Sequence, residues 1–363
     1  MYSNPFTPVF GSEPPFLGGR EKLIGDVLKG LEHGPGDPNR VTIFTGPRGS
    51  GKTVLLQRIT AEAQSRGWIG VHASAMSGML EQLIDQVGRQ ARDFLSVKPT
   101  SKLTEISIAG IGVAREILPQ AQKGWRIRME EHLDELAEQN VGLLFSIDEV
   151  KATVKELEEF VSVFQFFIMQ KRNVALVMAG LPGNVLQTFS LDSISFLRRA
   201  FLRKLDPISL PEVQAVLRDT IEMTGRSIER PALKSAAEQT GGLPFMIQLI
   251  GYHSFNQSNK ETITTSDVKN GILDAKRDME SMILEATLAE LSEVEQRFLI
   301  AMAQDEKVSK VADLKTRLNA SDQYVGNYRR RLITLGIIAP AGRGKLTFAM
   351  PLLRDLLLER LEE

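Results

Sequence analysis

The chain contains no cysteine. This absence excludes disulfide bonds, thiolate metal sites and cysteine nucleophiles, and it agrees with the cytoplasmic location that we expect. Histidine is scarce as well, and its positions lack the spacing of metal ligands: they are His33, His72, His132 and His253. We therefore expect no zinc site.

Long apolar runs are also missing. No stretch reaches the roughly 20 apolar residues that a bilayer-spanning helix needs, and the N-terminal residues lack the apolar core of a signal peptide. We therefore expect no membrane partner. Neither sign of charge is in excess, because 44 basic and 45 acidic residues give a formal net charge of −1. A basic surface for nucleic acid must therefore be local.

What the sequence does contain is a phosphate-binding loop. Val41–Phe44 is typical of a buried strand, residues 46–53 read GPRGSGKT, and a helix-compatible segment follows. The loop matches the pattern G-x-x-x-x-G-K-[ST] in its strand–loop–helix setting, where backbone N–H groups and the helix dipole attract phosphate. We predict that Lys52 binds the β- and γ-phosphates of ATP and that Thr53 ligates Mg²⁺. The other nucleotide contacts predicted in this segment are Gly46, Pro47, Arg48, Gly49, Ser50, Gly51 and Val54.

Two carboxylates follow a second apolar strand. Val141–Ile147 has few polar residues, which is typical of a strand covered on both faces of a parallel sheet, and Asp148 and Glu149 come next. Ligands bind at the carboxyl ends of such strands in α/β folds. We predict that Asp148 holds Mg²⁺, directly or through water, and that Glu149 orients and deprotonates the attacking water. The alternative is an acidic pair that caps the next helix.

Further polar residues come after the later strands. Asn184 follows the predicted strand Val174–Gly180, where it would sense the γ-phosphate or else belong to a plain loop. Arg198 and Arg199 precede a last strand that we expect near Leu205–Leu210. An arginine here could stabilise charge on a transferring phosphoryl group, in its own subunit or in a neighbour's. The alternative is a solvated helix end.

The segment between Ser96 and Gly124 has a less definite pattern. Isoleucine, valine and glycine over Ile106–Val113 are compatible with two short strands inserted into the domain. The simplest interpretation is a surface hairpin without a functional residue.

The second half of the chain predicts two smaller units. Helical patterns from Pro211 to Asn256 surround a turn at Thr240–Phe245, and they indicate a small helical lid. Further on, three helices are expected at 293–304, 310–318 and 322–335, followed by two strands whose connecting tip reads AGRGK. This order is typical of a winged helix, a variant of the helix-turn-helix. We therefore expect an α/β P-loop NTPase fold with a parallel sheet over residues 1–208, the lid over 209–284 and the winged helix over 285–363.

The predicted winged helix is basic although the chain is not. Between Lys307 and Arg354 ten basic residues stand against two acidic ones, a local charge of +8. This charge favours electrostatic contact with nucleic acid, although Arg329, Arg330 and Arg331 in the predicted helix 322–335 could face phosphate or an acidic protein surface equally well.

These motifs together resemble a known family. Phe16–Glu21 before the phosphate loop, Asp148 with Glu149, and Gly242–Pro244 in the lid resemble the signal-transduction (STAND) branch of the AAA+ ATPases. The order of P-loop domain, lid and winged helix also resembles the related origin-recognition and Cdc6-type ATPases. The opening residues NPF and the later segment YRRRL resemble bacterial ATP-binding proteins with an AAA-16-type domain.

The resemblance implies roles for individual residues. Gly19 and Arg20 would border the adenine, Pro244 would pack near the base, and one of the two adjacent arginines would act as an intersubunit arginine finger in a homo-oligomer. Origin-type ATPases carry a phosphate-sensing arginine in the lid helix, but Gly242–Gln248 contains none. This difference favours the signal-transduction branch over a replication initiator.

The sequence thus predicts a switch that binds ATP or ADP with Mg²⁺ and hydrolyses ATP slowly. By analogy with the family, nucleotide would set the angle of the lid, and the lid would position the winged helix. Two kinds of partner stay open for the winged helix: double-stranded DNA, or a protein surface on this ATPase or on another molecule.

Overall fold

The computed structural model describes residues 2–9, 11–96, 124–350 and 352–362. Its centre is a sheet in which all neighbouring strands are parallel, in the order β2-β3-β4-β1-β5. The strands are β1 Val41–Thr45, β2 Ile69–Ser74, β3 Leu143–Asp148, β4 Val174–Gly180 and β5 Phe201–Lys204. Every residue of β3 and β4 is buried, as their apolar sequences predict.

Helices cover both faces of this sheet. Successive strand residues point to opposite faces. Ile43 and Phe145 accordingly pack into one core with the helices between residues 79 and 169, whereas Phe44 and Leu144 pack into a second core with the helices at residues 21–33 and 52–65. The helices of this unit are α1 Glu21–His33, α2 Lys52–Ser65, α3 Met79–Ser96, α4 Trp125–Glu138, α5 Lys155–Met169 and α6 Pro182–Phe189. The fold is that of a P-loop NTPase.

The last strand of the sheet is not where we predicted it. Strand β5 is Phe201–Lys204, and the predicted segment Leu205–Leu210 instead leads into the next helix. Ser209 and Glu212 form a capping box there, which favours a helix start over a strand. β5 lies at the edge of the sheet and exposes alternate residues, so it lacked the apolar run of a buried strand.

The helical lid follows β5. Its elements are α7 Leu210–Glu222, β6 Ser227–Ile228, α8 Arg230–Gln239, α9 Pro244–Asn256, β7 Thr262–Ile263 and α10 Thr265–Met279. A wide helical turn over 280–284 joins α10 to α11 Glu285–Ala289. The predicted boundary between residues 284 and 285 therefore falls inside a helical segment, and Leu284 and Leu288 are buried in one core shared by the lid and the C-terminal region. The domain limits stay a prediction.

The C-terminal region contains the three helices and the two strands expected from the sequence. A short strand that we did not predict, β8, completes an antiparallel sheet in the order β8-β10-β9. The elements are α12 Glu293–Ala303, β8 Ser309–Lys310, α13 Val311–Arg317, α14 Asp322–Thr334, β9 Ile338–Pro340, β10 Lys345–Phe348 and α15 Leu353–Glu362.

Two further sequence predictions can be compared with the described residues only. The strand pair expected at 106–113 lies outside them. Within the described ranges, every helix is too short or too polar to cross a membrane.

The end of α14 packs directly on α6 of the P-loop unit. A side-chain carbon added at Gly183 would lie 2.1 Å from Thr334 Cα, so only glycine permits this close approach. The Gln187 side-chain amide donates a hydrogen bond to Thr334 Oγ1 at 3.1 Å, and Leu181 lies against Gly336. The C-terminal region is thus in contact with the end of β4.

We predict that Gly183→Ala destabilises the protein. Because the added methyl group would meet backbone atoms of α14, relieving the overlap should cost about 1–3 kcal/mol, the usual range for overpacking. Thermal unfolding measures the effect. Gly25→Ala is the matched control, because its new methyl group meets nothing within 4 Å in α1 and should raise stability by about 0.5–1 kcal/mol. Equal shifts of the two midpoints would contradict the close packing.

Candidate nucleotide-binding site

The predicted phosphate loop connects β1, an internal strand of the sheet, to α2. β1 lies between β4 and β5, and α2 begins at Lys52. Gly49 and Gly51 have φ values of +77° and +80°, which residues with a side chain rarely adopt. A side-chain carbon at Gly46 would lie 2.6 Å from Ser50 Oγ, so this glycine is needed for space. The sequence therefore folds into a tight loop that ends at a helix N-terminus, the geometry that favours phosphate.

Lys52 is folded back over the loop. Its Nζ donates hydrogen bonds to the carbonyl oxygens of Gly46, at 3.0 Å, and Pro47, at 2.8 Å. Burial lowers the pKa of Lys52 to about 8; Asp148 opposes this change and the positive charge of Arg48 adds to it. An anion at the loop would favour the charged amine, so the site is suited to phosphate.

Thr53 and Asp148 are in direct contact. Thr53 Oγ1 donates a hydrogen bond of 2.5 Å to Asp148 Oδ2, and Asp148 is only 4% exposed at the end of β3. A hydroxyl and a carboxylate oxygen are the hard ligands that Mg²⁺ prefers, and Mg²⁺ usually takes only one or two carboxylates and completes its shell with phosphate and water. The pair therefore fits the predicted metal site. No cluster of three or more His, Asp or Glu side chains suited to a metal occurs among the described residues.

Glu149 has an unusual backbone conformation. Its φ is +52°, its N–H donates to Asp148 Oδ1 at 2.8 Å, and its carboxylate lies 3.7 Å from Lys151 Nζ. A left-handed conformation costs a residue with a side chain about 1–2 kcal/mol, and such strain is concentrated at functional sites. The turn directs the backbone so that Asp148 is buried while Glu149 is exposed.

A cleft of about 410 Å³ extends from the loop to the lid. The first turn of α9 lies over the loop: the Phe245 N–H donates to the Gly49 carbonyl at 3.3 Å, and Pro244 Cγ would lie 3.4 Å from a side-chain carbon at Gly51. Away from the loop the cleft has an apolar end. That end is formed by Phe16, Leu17, Ile208, Val216 and Ile247.

The predicted residues before α1 lie at this apolar end. Arg20 lines the cleft and is buried, and its guanidinium donates to the Asp206 carbonyl at 2.9 Å. Gly19 does not line the cleft, but it has a φ of +69° and lies against Glu212 and Ile208. Both residues therefore connect the P-loop unit to the start of the lid.

Sequence reasoning missed the wall made by the N-terminal arm. Phe6 is buried against Gly251 of α9, where any larger residue would overlap its ring, and the Thr7 N–H donates to Gln248 Oε1 at 3.0 Å. The arm then continues along the cleft through Val9 and other residues up to Phe16. The residues NPF stand out near the start of the sequence, but nothing in their spacing indicated that they pack in a groove on α9, which lies far along the chain.

Of the other predicted site residues, some line the cleft and some do not. Val54 and Asn184 line the cleft with Ser50 and Arg48, although the role of Asn184 stays a prediction. Gly46 and Pro47 contribute through the carbonyl groups that bind Lys52. Arg198 and Arg199 are exposed on the turn 192–199 and do not line the cleft of their own chain. Arg198 donates to the Phe189 carbonyl at 2.9 Å.

Comparison with protein families agrees with this geometry. Residues 37–189, from just before β1 to the end of α6, match the model of the AAA domain family. This segment is similar to AAA domains. Residues 281–357 match a domain of unknown function, DUF8462. The comparison with curated proteins gave no match.

Solved structures share the overall fold of the P-loop unit, the lid and the C-terminal region. A Walker-type ATPase of Pyrococcus abyssi aligns with a TM-score of 0.71 at 15% identity, covering 94% of this chain and 96% of that one. The ORC2 protein of Aeropyrum pernix, in its ADPNP–ADP complexes, aligns with a TM-score of 0.65 at 15% identity, covering 98% and 96%. The Cdc6 protein of Pyrobaculum aerophilum aligns with a TM-score of 0.52 at 15% identity, covering 98% and 96%. At this identity the likeness concerns the fold alone.

We predict that Lys52→Ala abolishes nucleotide binding. Lys52 is the cation held inside the loop, and its removal takes away the charge that the phosphates require. Calorimetric titration with ATP and Mg²⁺ measures the affinity. Lys151→Ala is the control, because it removes an exposed lysine from the same cleft and should change affinity much less. Unchanged affinity in the Lys52→Ala protein would contradict the assignment.

Proposed function

We propose that this protein is a switch ATPase that binds ATP with Mg²⁺ and hydrolyses it slowly. The hydrogen bond between Thr53 and Asp148 at the head of the phosphate loop is the observation that carries this proposal, because it joins the two predicted metal ligands. The AAA domain match over residues 37–189 supports nucleotide binding independently.

Each side chain of the cleft has a proposed role. Lys52 would neutralise phosphate charge, and Thr53 with Asp148 would hold Mg²⁺, which supplies further charge neutralisation when bound. Glu149, exposed to the cleft, would orient and deprotonate the attacking water. Asn184, which follows β4, would sense the terminal phosphate. The apolar end near Arg20 and Pro244 would receive the base.

Arg198 or Arg199 would act across a subunit interface. Both arginines are exposed and away from their own cleft, so a role within one chain is not favoured. An arginine finger supplied by a neighbouring copy fits their position, and it would make the active form a homo-oligomer.

Two contacts would couple nucleotide to the rest of the chain. The Phe245 N–H on the Gly49 carbonyl joins the lid to the phosphate loop, and Thr334 on Gly183 joins α14 to the helix after β4. Leu181 and Asn184, on either side of Gly183, line the cleft. A change at the nucleotide would therefore reach both the lid and the C-terminal region, as expected of a cytoplasmic STAND-type switch.

The C-terminal region would be a winged helix that contacts double-stranded DNA through its basic tip. Of its basic residues, four are held in ion pairs: Lys315 with Asp322, Arg317 with Asp305, Arg331 with Glu295 and Arg354 with Asp355. Arg343 lies between β9 and β10, and Lys345 is the first residue of β10. Both side chains are exposed, and within the described ranges neither forms an ion pair. They are the cations best placed for phosphate.

A protein-interaction function is the second candidate. The packing of α14 on α6 favours it, because the helix that would face DNA in a winged helix is already engaged at its end by this chain's own AAA domain. In that case the C-terminal region would regulate the ATPase, or bind a partner protein, without meeting DNA.

We expect Glu149→Gln to retain ATP binding while hydrolysis falls by about two to four orders of magnitude, the usual contribution of a general base. Phosphate release and calorimetric affinity are measured on the same preparation. Glu222→Gln, which removes an exposed carboxylate from α7 outside the cleft, should leave both unchanged. Hydrolysis at the parental rate in the Glu149→Gln protein would remove Glu149 from this role.

The DNA proposal is tested through its salt dependence. Arg343→Ala with Lys345→Ala should weaken binding to any duplex sequence and reduce the slope of log affinity against log salt by about one unit for each phosphate group that the variant no longer neutralises. Arg277→Ala, which removes an exposed arginine from α10 of the lid, is the control and should leave the slope unchanged. If the full-length parent shows no salt-dependent duplex binding at low ionic strength, the protein-interaction candidate takes the place of DNA binding.

A further inference from the structure

Four basic side chains line the cleft within the described residues, and their partners differ. Arg20 is buried and bound to the Asp206 carbonyl, Lys52 is held by loop carbonyls, and Lys151 faces Glu149. The remaining one, Arg48, belongs to the phosphate loop. Its partner comes from a distant part of the chain.

Arg48 pairs with a residue of the connector between the lid and the C-terminal region. Its guanidinium lies 3.6 Å from Glu290 Oε2. Glu290 directly follows α11 and stands two residues before Ser292, which caps α12. Leu288 and Leu291, on either side of it, are buried in the shared core. The carboxylate is thus attached to a packed segment rather than to a free loop.

This ion pair is weak enough for a phosphate group to replace Glu290 as the partner of Arg48. The two side chains are 40% and 64% exposed, and exposed ion pairs contribute little to stability. A hydrogen bond to a charged group contributes more than such a pair. A phosphate group that Arg48 can reach in the cleft would therefore compete successfully with Glu290.

The positive charge of Arg48 is also close enough to affect Lys52, whose ammonium it disfavours. Among the described residues, the part of α9 that lies over the loop offers no arginine for the phosphates, since it reads PFMIQ. Arg48 is therefore the basic side chain of the loop whose partner can change with the charge of the bound nucleotide.

We propose that Arg48 distinguishes ATP from ADP by leaving Glu290 for the terminal phosphate. The proposal rests on the proposed function, since it concerns the same nucleotide cleft. Glu290 competes with the phosphate for one guanidinium, so the connector is released from the phosphate loop when the triphosphate is bound. By thermodynamic linkage, the ion pair with Glu290 weakens ATP binding by the same free energy by which bound ATP weakens the ion pair.

A double-mutant cycle on the full-length chain tests this exchange. Affinities for ATP and for ADP, each with Mg²⁺, are measured by calorimetry in the parent, Arg48→Gln, Glu290→Gln and the double variant. Arg48→Gln should weaken ATP about tenfold or more and ADP less, because the variant lacks the charge-assisted hydrogen bond to the terminal phosphate. Glu290→Gln should tighten ATP by up to about fivefold, the fold-change equivalent to an exposed ion pair, with a smaller effect on ADP.

The decisive measurement is the ATP affinity of the double variant. If Glu290 acts through Arg48, then Glu290→Gln has no effect on ATP affinity in the Arg48→Gln background. An equal gain in both backgrounds, or equal changes for ATP and ADP, overturns the proposal. Glu293→Gln removes a nearby exposed carboxylate that is not paired with Arg48, and it should leave both affinities unchanged.

Failure of the two proposals can be told apart. If the parent binds neither ATP nor ADP, the proposed function fails and this inference fails with it. If the parent binds ATP and Lys52→Ala does not, while Glu290→Gln behaves like the parent, only the exchange of Arg48 is overturned.

Discussion

The contact between Thr53 and Asp148 depends on the register of the central sheet. Thr53 lies in α2 just after β1 and the loop, Asp148 ends β3, and β4 lies between these two strands. The two residues meet because β1, β4 and β3 are parallel and end at the same edge of the sheet. In this register Thr45 is opposite Gly180 and Ile147 is opposite Met178. A shift of one residue in either pairing would turn the buried side chains of β3 to the other face. The two cores on either side of the sheet therefore fix the position of the two predicted metal ligands.

The lid is attached to this edge at several points rather than by a single hinge. Three contacts connect it to the phosphate loop or to the segments beside it: the Phe245 backbone on Gly49, the Arg20 guanidinium on the Asp206 carbonyl, and Phe6 of the N-terminal arm against α9. Each contact is small, and two of them involve backbone carbonyl groups. Such an arrangement can change one contact at a time without unfolding the sheet.

The sequence predicted the parts of the site that consecutive residues determine. The phosphate loop, the strand before it and the carboxylates after β3 follow from local patterns, because each depends on glycine positions or on an apolar run. The edge strand β5 was misplaced because its residues alternate between half-buried and exposed and none is fully buried. The arm that carries Phe6, the α6–α14 contact at Gly183 and the pairing of Arg48 with Glu290 could not be predicted, since each joins residues that only the tertiary fold brings together.

The position of the N-terminal arm also has a consequence for synthesis on the ribosome. Thr7 binds Gln248, 241 residues further along the chain, and Phe6 needs the groove at Gly251. At about 5–20 residues per second, translation takes roughly 12–50 seconds to supply that groove after the arm has been made. The sheet can form before then, but the wall of the cleft cannot. A nascent chain should therefore gain its complete nucleotide pocket only late in translation, when α9 has left the exit tunnel.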